Sequence, residues 1–159
     1  MTSDPQTTAW LDQEDAHLAH VIRAHRWAVQ YVGEGDEADE PPFAYTIGLF
    51  GLGHPELVVV GLDHRSAHEL LERAAGLVAE GRDLVPGEVL TWEGVARVIA
   101  EVLPNPGDVV LGANRFYERP AEYSVPALQL TWAASGAFPW EEGWPWGAGR
   151  QPRPGTWCA

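Results

Sequence analysis

The sequence predicts a single α+β domain with a mixed or antiparallel sheet of five to six strands, two to three helices and an irregular Trp-rich C-terminal wrap. Three observations carry that expectation. The 159 residues are the size of one ordinary domain. Apolar residues make up 45% of them, enough to bury a core despite a formal net charge of −13. Short β-branched and aromatic runs such as "FAYTIGLF" and "ELVVVGL" alternate with helical periodicity and are broken by Gly and Pro.

Taken in order, residues 1–10 are expected to form a flexible tail and 11–159 the globular domain. Over 11–25, "LDQEDAHLAHVIRAH", Leu11, Leu18, Val21 and Ile22 share one face, and acidic groups fall in the first turn as a helix start prefers. In "RWAVQYV", Trp27, Val29 and Tyr31 alternate with Arg26, Ala28 and Gln30 as in a half-buried strand. "GEGDEADEPP" holds five carboxylates in ten residues and reads as an exposed loop.

"FAYTIGLF" and "ELVVVGL" read as adjacent strands joined through Gly51, Gly53, His54 and Pro55. "DHRSAHELLERAAGLVAEG" is the strongest helix. Ser66 and Glu69 fit a capping box, Ala67, Leu70, Leu71, Ala74, Leu77 and Val78 form an apolar stripe, and Gly81 closes it. Residues 88–92 and 95–102 read as strands, although Val95, Val98, Ile99 and Val102 also fit a helix. "ALQLTWA" is a further strand. The tail beyond it carries four of the eight tryptophans and is interrupted by Gly and Pro too often for a regular element, so it is expected to wrap the domain.

Composition removes several function classes. The lone Cys158 cannot form an intramolecular disulfide or supply a multi-thiolate metal site. All ten basic residues are Arg, and the absence of Lys removes Schiff-base chemistry, PLP attachment and the P-loop lysine. A sequence pI near 4.7 argues against a nucleic-acid partner while leaving room for a cationic ligand or a basic protein partner. No apolar run approaches membrane-spanning length, and the polar N-terminus lacks a signal-peptide pattern, so a cytoplasmic location is expected. The glycines of "GLFGLGHPEL" lead into a strand rather than a helix N-terminus, which argues against a Rossmann phosphate loop. No cofactor is named by any of this, although a β-rich domain with helices on one side can hold a flavin or another planar ligand.

"FAYTIGL" followed by "GHPELVVVGL", a helix, and much later "ALQLTW" and "FPW" resembles the bacterial domain-of-unknown-function family number 4262, over roughly residues 20–155. The resemblance brings no settled activity, substrate or cofactor. One departure concerns the turn after "QLTW", where Ala133 and Ala134 stand in place of the polar or acidic residue expected there, so no carboxylate can act at that point.

Two constellations are candidates. His54 and Glu56 could form an acid/base pair, since a neighbouring carboxylate tunes an imidazole. The plainer reading makes Pro55 a stiffener, has His54 bond a backbone carbonyl, and starts a strand in solvent at Glu56. Tyr45 and Thr46 precede this loop, and Gly48 would let a ligand or another backbone approach. In "ANRFYERPAEY", Asn114, Arg115 and Tyr117 could bind an anion, Arg115 as a bidentate clamp, against the plainer reading of a solvated Arg–Glu network.

Trp140 would close such a pocket from the tail. His17 and His20 with Glu14, near His25, and separately His64 with His68, fall short of a three- or four-ligand metal site. Three functions follow. The first is a small-molecule-binding domain with an aromatic pocket between the His54 loop, the 114–117 segment and the Trp tail. The others are an enzyme using His54 with an Arg115 clamp, and an acidic interaction or immunity-type protein.

Overall fold

The runs "FAYTIGLF" and "ELVVVGL" form neighbouring interior strands of a six-stranded mixed sheet flanked by three α-helices. The structure is a computed structural model and describes residues 4–33, 40–92 and 97–159. In chain order the elements are α1 (Pro5–His25), β1 (Ala28–Val32), β2 (Phe43–Ile47), β3 (Glu56–Val60), α2 (His64–Ala79), β4 (Val89–Leu90), β5 (Val98–Val102), α3 (Leu111–Phe116) and β6 (Ala127–Trp132). The strands lie in the order β1-β2-β3-β6-β5-β4. Every neighbouring pair is antiparallel except β3 with β6. The domain is therefore α+β, with its parallel pair at the centre.

Every residue of β2, β3 and β6 is buried, which requires cover on both faces of the sheet. Helices on one side only, as the planar-ligand analogy supposed, would leave one face of these strands wet. Ala44, Leu57, Val59, Leu128 and Leu130 point to the face covered by α2. Phe43, Tyr45, Ile47, Val58 and Val60 point to the other, covered by α3 and the partly buried Leu18 and Ile22 of α1. Alternate residues thus feed two separate cores.

The two long helices are held by different forces. Six side chains of α2 are buried, Ala67, Leu70, Leu71, Ala74, Ala75 and Val78, and each Leu or Val among them contributes about 1.5–3 kcal/mol. Asp63, not Ser66, is the N-cap residue of α2, and Glu69 turns outward to Arg65. The expected capping box is therefore not the one used. Gly81, at φ 99°, takes the left-handed turn beyond the helix end.

No side chain of α1 is buried. This helix begins at Pro5, so residues 5–10, expected in the tail, are helical, and its acidic residues lie beyond the first turn. Residues 95–102 resolve as strand over Val98–Val102, while Val95 lies outside the described residues. Most of the acidic 33–42 loop, residues 34–39, also lies outside them.

The C-terminal wrap is stitched to β6 through buried amides. Gln151 Oε1 accepts from Trp132 N at 2.8 Å while its Nε2 donates to Trp132 O at 2.9 Å, imitating a further strand. Gln129 donates to Pro152 O and accepts from Trp157 Nε1. The rings of Trp144 and Trp146 stand 5.3 and 5.8 Å from that of Trp132. Gly61, at φ 89°, admits the tail, because a Cβ there would lie 2.3 Å from Arg150 O.

Gly61→Ala is therefore expected to destabilise the fold by about 2 kcal/mol or more and to speed tryptic cleavage after Arg150. Unchanged urea unfolding and cleavage would refute the seating of the tail on this glycine.

Candidate functional site

The loop between β2 and β3 is organised around Glu56, which is fully buried rather than starting its strand in solvent. Its Oε1 accepts from Thr46 Oγ1 at 2.8 Å and Leu49 N at 3.0 Å, and its Oε2 from Gly48 N at 3.0 Å and Phe50 N at 3.2 Å. Thr46 Oγ1 in turn accepts from Leu57 N. Gly48 sits at φ 133°, and a Cβ there would stand 2.4 Å from Arg26 O, so the close approach made possible by this glycine is to the protein's own backbone. Burial pushes the Glu56 carboxyl above its ordinary 4.5, partly opposed by the four donors.

His54, also buried, turns to other partners. Its Nε2 accepts from Leu84 N at 2.9 Å, which leaves the proton on Nδ1 to donate to Pro55 O at 2.8 Å. Both ring nitrogens are thus engaged with backbone groups, and His54 and Glu56 bond to different neighbours. Tyr117 does face the loop. Its Oη accepts from Gly51 N at 3.1 Å, and its ring meets Phe50 edge-on at 5.0 Å.

The other expected site residues divide. Asn114 bonds Ser124 Oγ and Val125 N, fastening the chain that enters β6. Trp140 lies in the tail, stacked on Phe138 and beneath the Arg153 guanidinium at 4.2 Å, so it does not join the His54 loop or Asn114. Arg115 grips Asp15 of α1 bidentately at 3.1 and 2.9 Å. Tyr45 Oη accepts from Gly112 N at 2.9 Å, on the first turn of α3.

Tyr45 and Arg115 meet instead at an open cleft of about 800 Å³ between α1, β1, α2 and α3. Trp10, Trp27 and Tyr45 supply aromatic surface, and Glu14, Asp15 and Glu72 supply carboxylates. His17, His25 and His68 also line it. Trp27 Nε1 donates to Glu72 Oε1 at 3.1 Å, which orients both groups. Among the described residues no three His, Cys, Asp or Glu side chains are grouped to hold a metal ion.

Sequence reasoning weighed Glu14, His17 and His25 only as metal ligands and missed Trp27, Glu72 and Gly112. No local motif joins them, because three helices and an edge strand bring them together. A second hollow of about 590 Å³, between 104–108 and 119–124, has Tyr123 as its one aromatic residue.

A family model described as a domain of unknown function, DUF4262, matches residues 21–145, well over half of the chain. No curated protein matches the chain, and no solved structure matches it. Among the described residues no helix is long and apolar enough to cross a membrane.

Two predictions follow from the loop and the phenols. Glu56→Ala orphans three backbone N–H groups at about 1–3 kcal/mol each, so urea unfolding should show a loss of at least about 3 kcal/mol, with Glu56→Gln intermediate. A Glu56→Ala protein within about 1 kcal/mol of the parent would remove the loop's dependence on this carboxyl.

Burial raises Tyr45, against the bond from Gly112, and raises Tyr117 with help from the Glu56 charge, against the bond from Gly51. Both phenols should ionise above the ordinary 10.0. Folding favours their protonated forms, so this stabilisation is complete below pH 10 and is lost as pH rises through the raised values. Absorbance titration at alkaline pH should show a late component that Tyr45→Phe and Tyr117→Phe each diminish. A titration that these substitutions leave unaltered would contradict it.

Proposed function

The chain belongs to the DUF4262 family, and on that premise we propose that it is a small-molecule-binding domain whose site is the cleft beneath α1. The observation that carries the reading is the cleft itself. Its volume, about 800 Å³, lies within the range of ligand sites, and it combines aromatic walls with a few polar groups held by defined partners. Tyr45 adds to this. Its hydroxyl accepts from Gly112 but donates to no group among the described residues, which leaves a phenolic proton to offer a ligand.

The enzyme reading draws less support. To act as acid/base, His54 would have to release Leu84 N or Pro55 O, and the Arg115 clamp already holds Asp15. The interaction-protein reading expects no cavity. A bacterial cytoplasmic setting fits the binding reading, and the net charge of −13 opposes a nucleic-acid partner.

Native mass spectrometry and a thermal-shift screen of small molecules test the proposal, with Gln30→Trp as the control. Gln30 is exposed on β1 and lines the cleft, so Trp there fills the site with little effect on the core. Compounds that raise the melting temperature of the parent are expected to lose that effect in Gln30→Trp. Hits that persist unchanged in the variant would place binding elsewhere.

A further inference from the structure

We infer that the cleft beneath α1 selects an organic cation, a planar or aromatic amine or quaternary ammonium, over neutral and anionic ligands of the same size. The inference rests on the binding reading above and deepens it. Its ground is the charge left over once the internal bonds are counted. Three carboxylates line the cleft, Glu14, Asp15 and Glu72, against one guanidinium, Arg115. Arg115 is spent on Asp15 in a two-bond clamp, so that pair offers a ligand little net charge.

Glu14 and Glu72 remain. Glu72 receives Trp27 Nε1 on Oε1 and has His68 Nε2 at 3.8 Å from the same oxygen. No protein donor among the described residues bonds its Oε2. The chain has no Lys, so no ammonium competes for these carboxylates. The aromatic walls point the same way. A cation over Trp or Tyr is drawn to the electron-rich ring face, and Trp27 is fixed beside Glu72 by its own hydrogen bond. The Glu72 carboxylate thus lies at the indole edge of Trp27, and with Trp10 and Tyr45 also lining the cleft, carboxylate and aromatic groups share one site, the composition that holds an alkylammonium. The chain's net charge of −13 adds long-range attraction for the same sign of ligand. An anion would meet Glu14 and Glu72, while the one guanidinium of the cleft, Arg115, is already bonded to Asp15.

The test uses the full chain and three probes of similar size, benzyltrimethylammonium, benzyl alcohol and phenylacetate. Binding is followed by amide chemical shifts and calorimetry at low and high salt. Benzyltrimethylammonium is expected to perturb cleft residues such as Trp27, Gln30 and Gly112, and to bind at least about tenfold more tightly than either other probe. Raising the salt should weaken it.

Glu72→Gln, which keeps an oxygen for Trp27 Nε1, is expected to weaken the cation about tenfold and leave benzyl alcohol unchanged. Glu14→Gln should have a smaller effect, and Gln30→Trp should abolish binding of every probe at the cleft. Equal or tighter cleft binding of benzyl alcohol or phenylacetate would overturn the cation inference and leave the binding reading standing. Absence of benzyltrimethylammonium binding would also overturn it. The binding reading falls separately, if the screen hits ignore Gln30→Trp.

Discussion

The Glu56 carboxyl is the constraint around which the centre of the domain is arranged. It lies at the first residue of β3, where β3 runs parallel to β6 and antiparallel to β2. Removed from water, such a group is tolerable only if donors surround it, and three consecutive N–H groups with the Thr46 hydroxyl do so. To bring those N–H groups onto one carboxyl the chain must turn sharply at Gly48, and that turn is open only to a residue without Cβ. The loop so fixed then presents Gly51 N to Tyr117, which ties α3 to it. A loop that looks like a catalytic element is in this way the clasp between the sheet and α3.

The two faces of the sheet are secured unequally, and the cleft lies where the securing is weakest. On one side α2 buries six side chains. On the other, α1 buries none and is fastened mainly through the exposed Arg115–Asp15 pair and Leu18 and Ile22 at the margin of the core. Exposed pairs contribute only about 0–1 kcal/mol, against several for the α2 face. Local opening should therefore begin at α1 well before the sheet yields. On the proposed binding reading, a wall of this kind can shift to admit a ligand without disturbing the β3–β6 centre.

Much of the fold was legible because it follows from side-chain periodicity. The largely apolar runs 43–49 and 57–62 mark interior strands, and the stripe from Ala67 to Val78 marks a helix against them. The start of α1 had a signal, Asp4–Pro5, that the apolar pattern beginning at Leu11 outweighed. The site was less legible. Glu56 reads as a solvent carboxylate because nothing in its neighbours announces three N–H groups turned inward, and that turn depends on a glycine approaching Arg26 across the sheet. Arg115 reads as a ligand clamp because its partner, Asp15, stands 100 residues away. Residue types were visible, but which groups were already spent on one another was not.

That distinction decides what the molecule can offer a ligand. His54 has given both nitrogens to backbone groups, Asn114 has given its amide to Ser124 and Val125, and Arg115 has given its fork to Asp15. Each is polar, and each is committed. What the α1 cleft still offers is of another kind, the indoles of Trp10 and Trp27, one oxygen of Glu72, the exposed carboxyl of Glu14 and the proton of Tyr45. The indoles and the carboxylates prefer positive charge, while the phenolic proton of Tyr45 prefers a hydrogen-bond acceptor. The chain has no Lys, so no flexible ammonium reverses the preference of the carboxylates. The selectivity proposed for the cleft therefore follows less from the polar residues that the sequence displays than from those that folding leaves unpaired.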